Sequence, residues 1–600
     1  MKFVLAFTCL IAMTADAQTV RKRAVIIGID DYTASTIPKV RNVEHRGWPD
    51  LRGAARDAQL LRELLTSRYG FATGDVVTLL NQRATRVAIL RAIDDLVNAS
   101  RKGDVAFFYF AGHGSQIPNS LSDELDRLDE SIVPADSRRG APDIRDKELR
   151  TRFNAILDRG THLTLLLDHC NSGSSFRGSP RTRSIQPATT DVRDRTDYGP
   201  RPETRGALVI AAAQDNGTAW ESLGDDDELH GDFTWAFLHA LRDATPHESA
   251  QQTFLRAHAR MRAEHPDQQP VLAGTSAARN RPFLDTRLHL RDRQSVVAIE
   301  RVDANGTVVV QGGWANGLAI GSILKTRDNA SRLVVTRLLG IHRSVARIER
   351  GRVTAGAMLE VSSWAAPPSR PLRVWSQSPL TGIIDSSDGF QIVATAADAD
   401  YILASKGQEH AWIRTGARNE RSAWIANRAS LRESALTLRK IHGWRNLESP
   451  PGPAAPYRLA LQREADRSLV TGNTLIGGER YRVVLQGTNR RAPKRYYYAF
   501  VIDSHGKSFL AFPQSSNGSV ENRFPLGEIA STITLGDNSV FEVKPPYGAD
   551  LFFLLSTEEP LPNPSVLDWD GIRAGRTLTT SAWSIERAAF ESVPPRKLRR

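Results

Sequence analysis

Residues 105–114 read Val-Ala-Phe-Phe-Tyr-Phe-Ala-Gly-His-Gly, and residues 163–173 read Leu-Thr-Leu-Leu-Leu-Asp-His-Cys-Asn-Ser-Gly. Each is an apolar run that breaks into a turn of small and polar residues. The runs are continuous rather than alternating, the mark of a strand buried on both faces of a sheet. Working outward, Arg23–Ile29, Val76–Leu80 and Ala207–Ala213 repeat the pattern. Helical periods lie between them. Leu51, Ala54, Ala55, Ala58, Leu61, Leu64 and Leu65 recur at threes and fours, as do Val87, Leu90, Ile93 and Val97. Leu149–Leu157 and Phe233–Leu241 read as further helices. This alternation predicts an α/β domain over about residues 21–285, a mostly parallel sheet flanked by helices.

Ligands of such a sheet collect beyond the carboxyl ends of its strands. His113 follows one strand between two glycines, and Cys170 follows another ahead of Gly173. A thiol and an imidazole so placed read as a nucleophile with its base. The chain has two cysteines, Cys9 and Cys170, too few for a disulfide framework or a four-thiolate zinc site. Residues 1–17 join Lys2, an apolar run from Phe3 to Met13, and Ala15-Asp16-Ala17. That pattern is a secretory signal peptide, expected to be cut before Gln18 and to send the chain to the periplasm or outside. Cys170 is then the one thiol left. Past this leader no run of about 18 apolar residues suits a membrane span.

The segments AGHG at 111–114 and DHCNSG at 168–173 resemble the caspase-like cysteine peptidases, and among them the metacaspases and their prokaryotic, orthocaspase-type relatives. Further matches are Leu51–Ala58, Asp123-Glu124 with Asp129–Asp136, Ala211–Asn216 and Gly231–Thr234, in the same order as in that family. The resemblance covers residues 21–285. It implies Cys170 as nucleophile, His113 as general acid/base, and the backbone N–H groups of Gly114 and Cys170 as oxyanion donors. Asp57 and Asp168 match the acidic residues of the metacaspase S1 pocket, which implies cleavage after Arg or Lys rather than Asp. Ala111 stands where the family often has serine, and Ala54 where it has cysteine.

Calcium-dependent members bind the ion with four acidic residues. Asp129 and Asp146 match two of them, but Lys147 and Arg177 stand at the others. A hard cation wants oxygen ligands, so no cofactor is expected to be required; calcium stays open but disfavoured, and the metal ligands unknown. Asp225–Glu228 is an acidic loop that either shapes the cleft or is solvated. His45, Trp48 and Pro49 lie in an insertion after the first strand that reads as a surface loop or a rim over the site.

Residues 177–205 have no hydrophobic period and carry Arg177, Arg181, Arg183, Arg193, Arg195, Arg201 and Arg205. They read as a mobile, solvated loop and, for an enzyme with an acidic pocket, as a self-cleavage site. The chain holds 79 basic and 67 acidic residues, a net charge of +12. The arginines are spread among acids, with no zinc spacing and no phosphate loop, so nucleic acid is not expected as a partner.

Residues 295–365 alternate with Gly and Asn turns and suggest a small β-rich domain. Residues 372–450 are mixed, with a strand in 395–405 and a helix in 423–442. Residues 457–565 are β-rich again, and resemble an uncharacterised domain found after such peptidases in bacteria. The expected function is a cysteine endopeptidase acting on proteins or peptides with a basic P1 residue, the residue on the acyl side of the cut bond. The alternatives are a retired scaffold whose β domains bind an envelope component or partner protein, and a transpeptidase or amidase using the same acyl-enzyme.

Overall fold

The computed structural model describes residues 20–32, 49–122, 127–170, 182–214, 217–265, 268–286 and 296–363, together with most of 371–595. The leader, His45, Trp48, Asp123, Glu124, Arg177, Arg181, and the Asn-Ser-Gly turn after Cys170 lie outside the described residues.

The expected strands and helices form, joined by short strands and two helices that the sequence reading did not name, and all follow in chain order. They are β1 (Lys22–Gly28), α1 (Ala54–Arg68), β2 (Val76–Leu80), α2 (Arg86–Ala99), β3 (Val105–Ala111), β4 (Gly114–Pro118), β5 (Leu128–Ile132), β6 (Ile144–Arg145), α3 (Asp146–Asp158), β7 (His162–Asp168), β8 (Leu208–Ala211), β9 (Glu221–Leu223), β10 (Leu229–Gly231), α4 (Asp232–Asp243), α5 (Ala250–Glu264), β11 (Val271–Ala273) and α6 (Ser276–Asn280). The main sheet runs β11-β8-β7-β3-β1-β2. β8, β7, β3, β1 and β2 are parallel, and β11 closes one edge antiparallel. β3 is buried along its whole length, which is why it reads as an unbroken apolar run. The chain passes from β1 out to β2 and back past β1 to β3, so the switch in strand order falls between β1 and β3.

Register does most of the positioning. Ala111 of β3 pairs with Asp168 of β7. His113 and Cys170 therefore each lie two residues past the same rung. A small sheet, β4-β5-β6, turns back over this end of the domain. α1 begins here too: Ala54 and Ala55 donate their N–H groups to the Asp30 carboxylate at 2.8 and 3.2 Å, which caps the helix and aims its first turn at the site.

The second part is β-rich. β12 (Val296–Val302), β13 (Thr307–Gln311), β14 (Ile323–Lys325), β15 (Arg332–Leu339), β16 (Arg343–Arg350) and β17 (Met358–Ser363) close into a barrel. A four-stranded sheet built on Leu372–Ser376 and Tyr401–Lys406 follows, with helical residues recurring between Ser430 and Trp444. Trp444 joins the segments, its ring 4.7 Å from Trp314 of the barrel region and 4.8 Å from Phe500 of the last domain. Residues 457 onward form two packed sheets. Their final strand, Trp583–Val593, pairs with Ala549–Thr557 and so extends the domain past the boundary expected at 565. That strand is half-buried along most of its length and interleaves Glu586, Arg587 and Glu591 with its apolar residues, which hides it from a search for apolar runs.

Phe107 in the central strand is fully buried and meets Phe283 edge to face at 5.9 Å. Phe107→Ala is expected to cost about 3–5 kcal/mol. A thermal melt should show the transition of the α/β domain falling while the β-rich part unfolds as before.

Candidate active site

The glycines around His113 act through space, not flexibility. A Cβ on Gly114 would sit 1.9 Å from the Cys170 carbonyl oxygen, so any other residue would force β4 off the end of β7. Tyr32 fixes His113: its hydroxyl accepts the His113 backbone N–H at 2.8 Å and donates to Val133 O at 3.2 Å, and its ring lies 4.6 Å from the imidazole. His113 Nε2 lies 2.7 Å from the carbonyl oxygen of Pro49. A carbonyl can only accept, so Nε2 carries the proton and Nδ1 keeps its lone pair. Nδ1 is buried with no hydrogen-bond partner among the described residues. Burial outweighs the Pro49 carbonyl and lowers the imidazole to about 4, so it is neutral at pH 7.

Cys170 is fully buried. Its Sγ accepts the Ala219 N–H at 2.8 Å and donates to Ala219 O at 3.3 Å. Burial pushes the thiol up to about 12. Thiol and base are both neutral in this arrangement.

The loop reading of 177–205 needs correcting where it is described. Thr182, Arg183 and Ile185 are buried, Arg183 wholly so, while residues 189–193 and 195–197 are exposed as expected. Its carbonyl oxygen accepts the N–H groups of both Gly114 and Cys170, at 3.0 Å each. Its own N–H donates to Ala219 O at 3.1 Å, beside a bridge between Thr182 and Trp220. Its guanidinium meets Asp168 at 2.8 Å, Asp57 at 3.0 Å and Glu221 at 3.0 Å. A loop residue of this kind has no hydrophobic period because a tertiary charge cluster, not an apolar face, orders it.

The carboxylates are themselves held. Asp57, on the first turn of α1, accepts the Gly231 N–H at 2.8 Å and lies 2.7 Å from His230 Nδ1. His230 stacks on Trp235 at 3.9 Å and reaches Asp226 of the acidic loop at 3.1 Å. Burial works against its charge, but the hydrogen bond and charge of Asp57 prevail and raise its pKa. The acidic loop thus backs the pocket through His230. Asp168 receives Thr234 Oγ1, and burial raises its pKa against the pull of Arg183. Gly231 is required here, since a Cβ would stand 2.4 Å from Asp168 Oδ2. Glu221 also accepts the N–H groups of Arg52 and Gly53, both at 3.1 Å. Sequence reasoning missed Glu221. It sits alone on a three-residue strand, and only its order after Ala219-Trp220, which faces the bound backbone, could have marked it.

The acidic residues considered for calcium do not form a cradle. Asp129 is fully buried and binds Lys147 Nζ, with Arg145 at 3.1 Å. Asp146 pairs with Arg150 at 2.8 Å. No group of three or more His, Cys, Asp or Glu among the described residues is arranged for a metal. Nor is any described helix long and apolar enough to cross a membrane.

The mostly parallel, helix-flanked sheet, with a thiol and an imidazole two residues past one rung, has a caspase-like fold. Residues 21–281 match the caspase domain family. The chain is 37% identical over 162 residues to metacaspase-1 of Schizosaccharomyces pombe, a match covering 26% of this chain and 35% of that protein. It is 33% identical over 162 residues to metacaspase-1 of Saccharomyces cerevisiae and 32% identical over 162 residues to that of Kluyveromyces lactis. Each of those matches covers 26% of this chain and 34% of the relative, so the chain spans about a third of the length of the curated relatives it matches.

The raised thiol makes a prediction. Lifting Cys170 from 9.0 to about 12 leaves roughly a thousandth of the usual thiolate at pH 8. Iodoacetamide should label the intact Cys170 at least about a hundredfold more slowly than a free cysteine, and unfolding in urea should abolish the difference.

Proposed function

We propose that this chain is a cysteine endopeptidase in which Cys170 and His113 cut peptide bonds after arginine or lysine, and that its own Arg183–Ser184 bond is a substrate. One observation carries the reading: Arg183 lies in the site as a P1 residue would. Its guanidinium is among Asp57, Asp168 and Glu221, and its carbonyl oxygen is on two backbone donors.

The chemistry follows from the atoms. The thiol turns from Ala219 toward His113, and Nδ1 takes its proton. Sγ adds to the P1 carbonyl carbon, and the resulting oxyanion is held by the N–H groups of Gly114 and Cys170, the two that now hold Arg183 O. The C–N bond breaks, and His113 returns the proton to the leaving amine. Water, with His113 as base, hydrolyses the thioester and frees the thiol. Tyr32 and the Pro49 carbonyl set the ring and its tautomer. Lysine fits the pocket as a cation, but arginine alone spans three carboxylates with its fork.

No step runs through calcium, because Asp129 is already engaged by cations of the chain. The leader at 1–17 makes the periplasm or the exterior the proposed address; an exported chain should begin at Gln18.

Intact-mass analysis is expected to show wild-type protein broken between Arg183 and Ser184, and Cys170→Ala whole. Peptides with Arg or Lys at P1 should be cut at equal rates with EDTA or calcium. Asp57→Asn, Asp168→Asn and Glu221→Gln should each lower kcat/KM on Arg peptides by about tenfold to a hundredfold. Cleavage by Cys170→Ala, or a preference for Asp at P1, would sink the proposal.

A further inference from the structure

The residues after Arg183 also engage the protein, and they do so in order. β4 pairs with β5 along one edge. Along its other edge lies the segment from Ser184, parallel to it from a bridge between Gly114 and Ser184. The carbonyl of Gly114 accepts the Ile185 N–H at 3.1 Å, that of Gln116 accepts Ala188 N–H at 2.9 Å, and that of Pro118 accepts Val192 N–H at 2.9 Å. Ser115 Oγ donates to Gln186 O at 3.0 Å. Alternate residues of one strand edge thus hold the chain, which follows that edge from a single parallel bridge, with its donors three and four residues apart rather than in a regular ladder. Side chains are treated unequally. Ile185 is 3% exposed and joins the apolar core of the peptidase domain, whereas Ser184 and residues 186–192 are half-buried or exposed.

We infer that β4 is a rail for the leaving-group side of substrates, and that the site has an apolar S2′ pocket, taken here by Ile185, which selects an aliphatic residue two places after the cut. This rests on the peptidase reading above and adds to it a second specificity determinant. The substrate class becomes an extended polypeptide with a basic P1 and an aliphatic P2′. Gly114 couples the two sides: its N–H holds the P1 carbonyl and its C=O holds the P2′ N–H, so the scissile bond is gripped from both ends by one residue. A reporter that stops after P1 forgoes half of that grip. From Gln186 to Ala188 the segment's backbone carries hydrogen bonds to β4, whereas Asp191 is held by its side chain, whose carboxylate accepts the Ser120 N–H at 2.9 Å.

The test uses the full chain and internally quenched peptides of the sequence at 182–191, with the residue matching Ile185 as Ile, Val, Ala or Asp. A second peptide set replaces the residue matching Arg183 by Ala. In parallel, Ile185→Ala and Ile185→Asp chains are followed for self-cleavage by intact mass, with circular dichroism confirming their fold. Val should match Ile, Ala should lower kcat/KM about tenfold or more, and Asp about a hundredfold or more. Self-cleavage of the chains should slow in the same order. Rates within about twofold across all P2′ residues, with Arg still required at P1, would overturn the S2′ pocket and leave the basic-P1 reading standing. Cleavage indifferent to the P1 change, or absent in both arms, would remove the peptidase reading and the pocket with it.

Discussion

A single buried guanidinium organises the end of the sheet that carries His113 and Cys170. Arg183 has no exposed surface, and Asp57, Asp168 and Glu221 are almost as deeply enclosed. Three carboxylates this close cannot all stay charged in a dry pocket unless a cation joins them, because desolvation and mutual repulsion both oppose ionisation. The raised pKa of Asp168 records that opposition even with Arg183 in place. The pocket is therefore built around an occupant. It needs either a cation or entry of water, and in this structure Arg183 supplies the cation. His230 and Gly231 keep Asp57 aimed, the capped start of α1 keeps it at the right height, and the absence of a side chain at Gly231 leaves room for the charge cluster.

The framework was legible because it obeys local rules. The unbroken apolar runs of β1, β3 and β7 could only be doubly covered strands, and the turns after β3 and β7 put His113 and Cys170 where such sheets bind ligands. Asp57 and Asp168 came from the family resemblance, and the structure brings both to one guanidinium. What escaped depends on distance in sequence. Arg183 looks like its neighbours Arg181 and Arg193 until residues 57, 168 and 221 converge on it. Glu221 has no periodicity to announce it, since a three-residue strand carries too few positions to show one. The carbonyl of Pro49, which fixes the tautomer of His113, is a backbone atom and invisible to any reading of side chains.

The same limit applied to the second half. Strand runs were readable, but their joining was not. The peptidase helix α5 meets the barrel through a polar cluster: His258 lies 3.1 Å from Gln311, which donates to Glu300 at 3.3 Å, and Arg343 reaches Glu300 at 3.3 Å. Burial lowers His258 to about 4, so it stays neutral and serves as a hydrogen-bonding group at the joint. Its stabilising contribution is complete above about pH 6.5 and is lost as the pH falls toward 4, since protonation then favours chains in which the ring is exposed. Trp444, between Trp314 and Phe500, ties the barrel to the last domain in the same way with apolar surface.

The downstream anchor explains why the segment after Arg183 lies in order rather than free in solvent. Arg145 reaches from β6 to Asp129 on β5 and to Asp194 on the segment, at 3.1 and 2.9 Å, and Tyr198 meets both Arg145 and Asp194. Ser120 N–H holds Asp191 at 2.9 Å, and Asn119 accepts the N–H of Asp194 at 2.9 Å. Lys147 on Asp129 completes the network. The stretch from 184 to 198 is thus tethered at its far end by charge, along its length by backbone hydrogen bonds, and at its near end by Arg183. Tethering at two ends makes the middle effectively intramolecular, so main-chain bonds too weak to recruit a free peptide suffice to align this one. A peptide from another protein would lack the far tether, so on the proposed reading its binding would be concentrated in side chains, at the acidic pocket and at the apolar position beside Gly114.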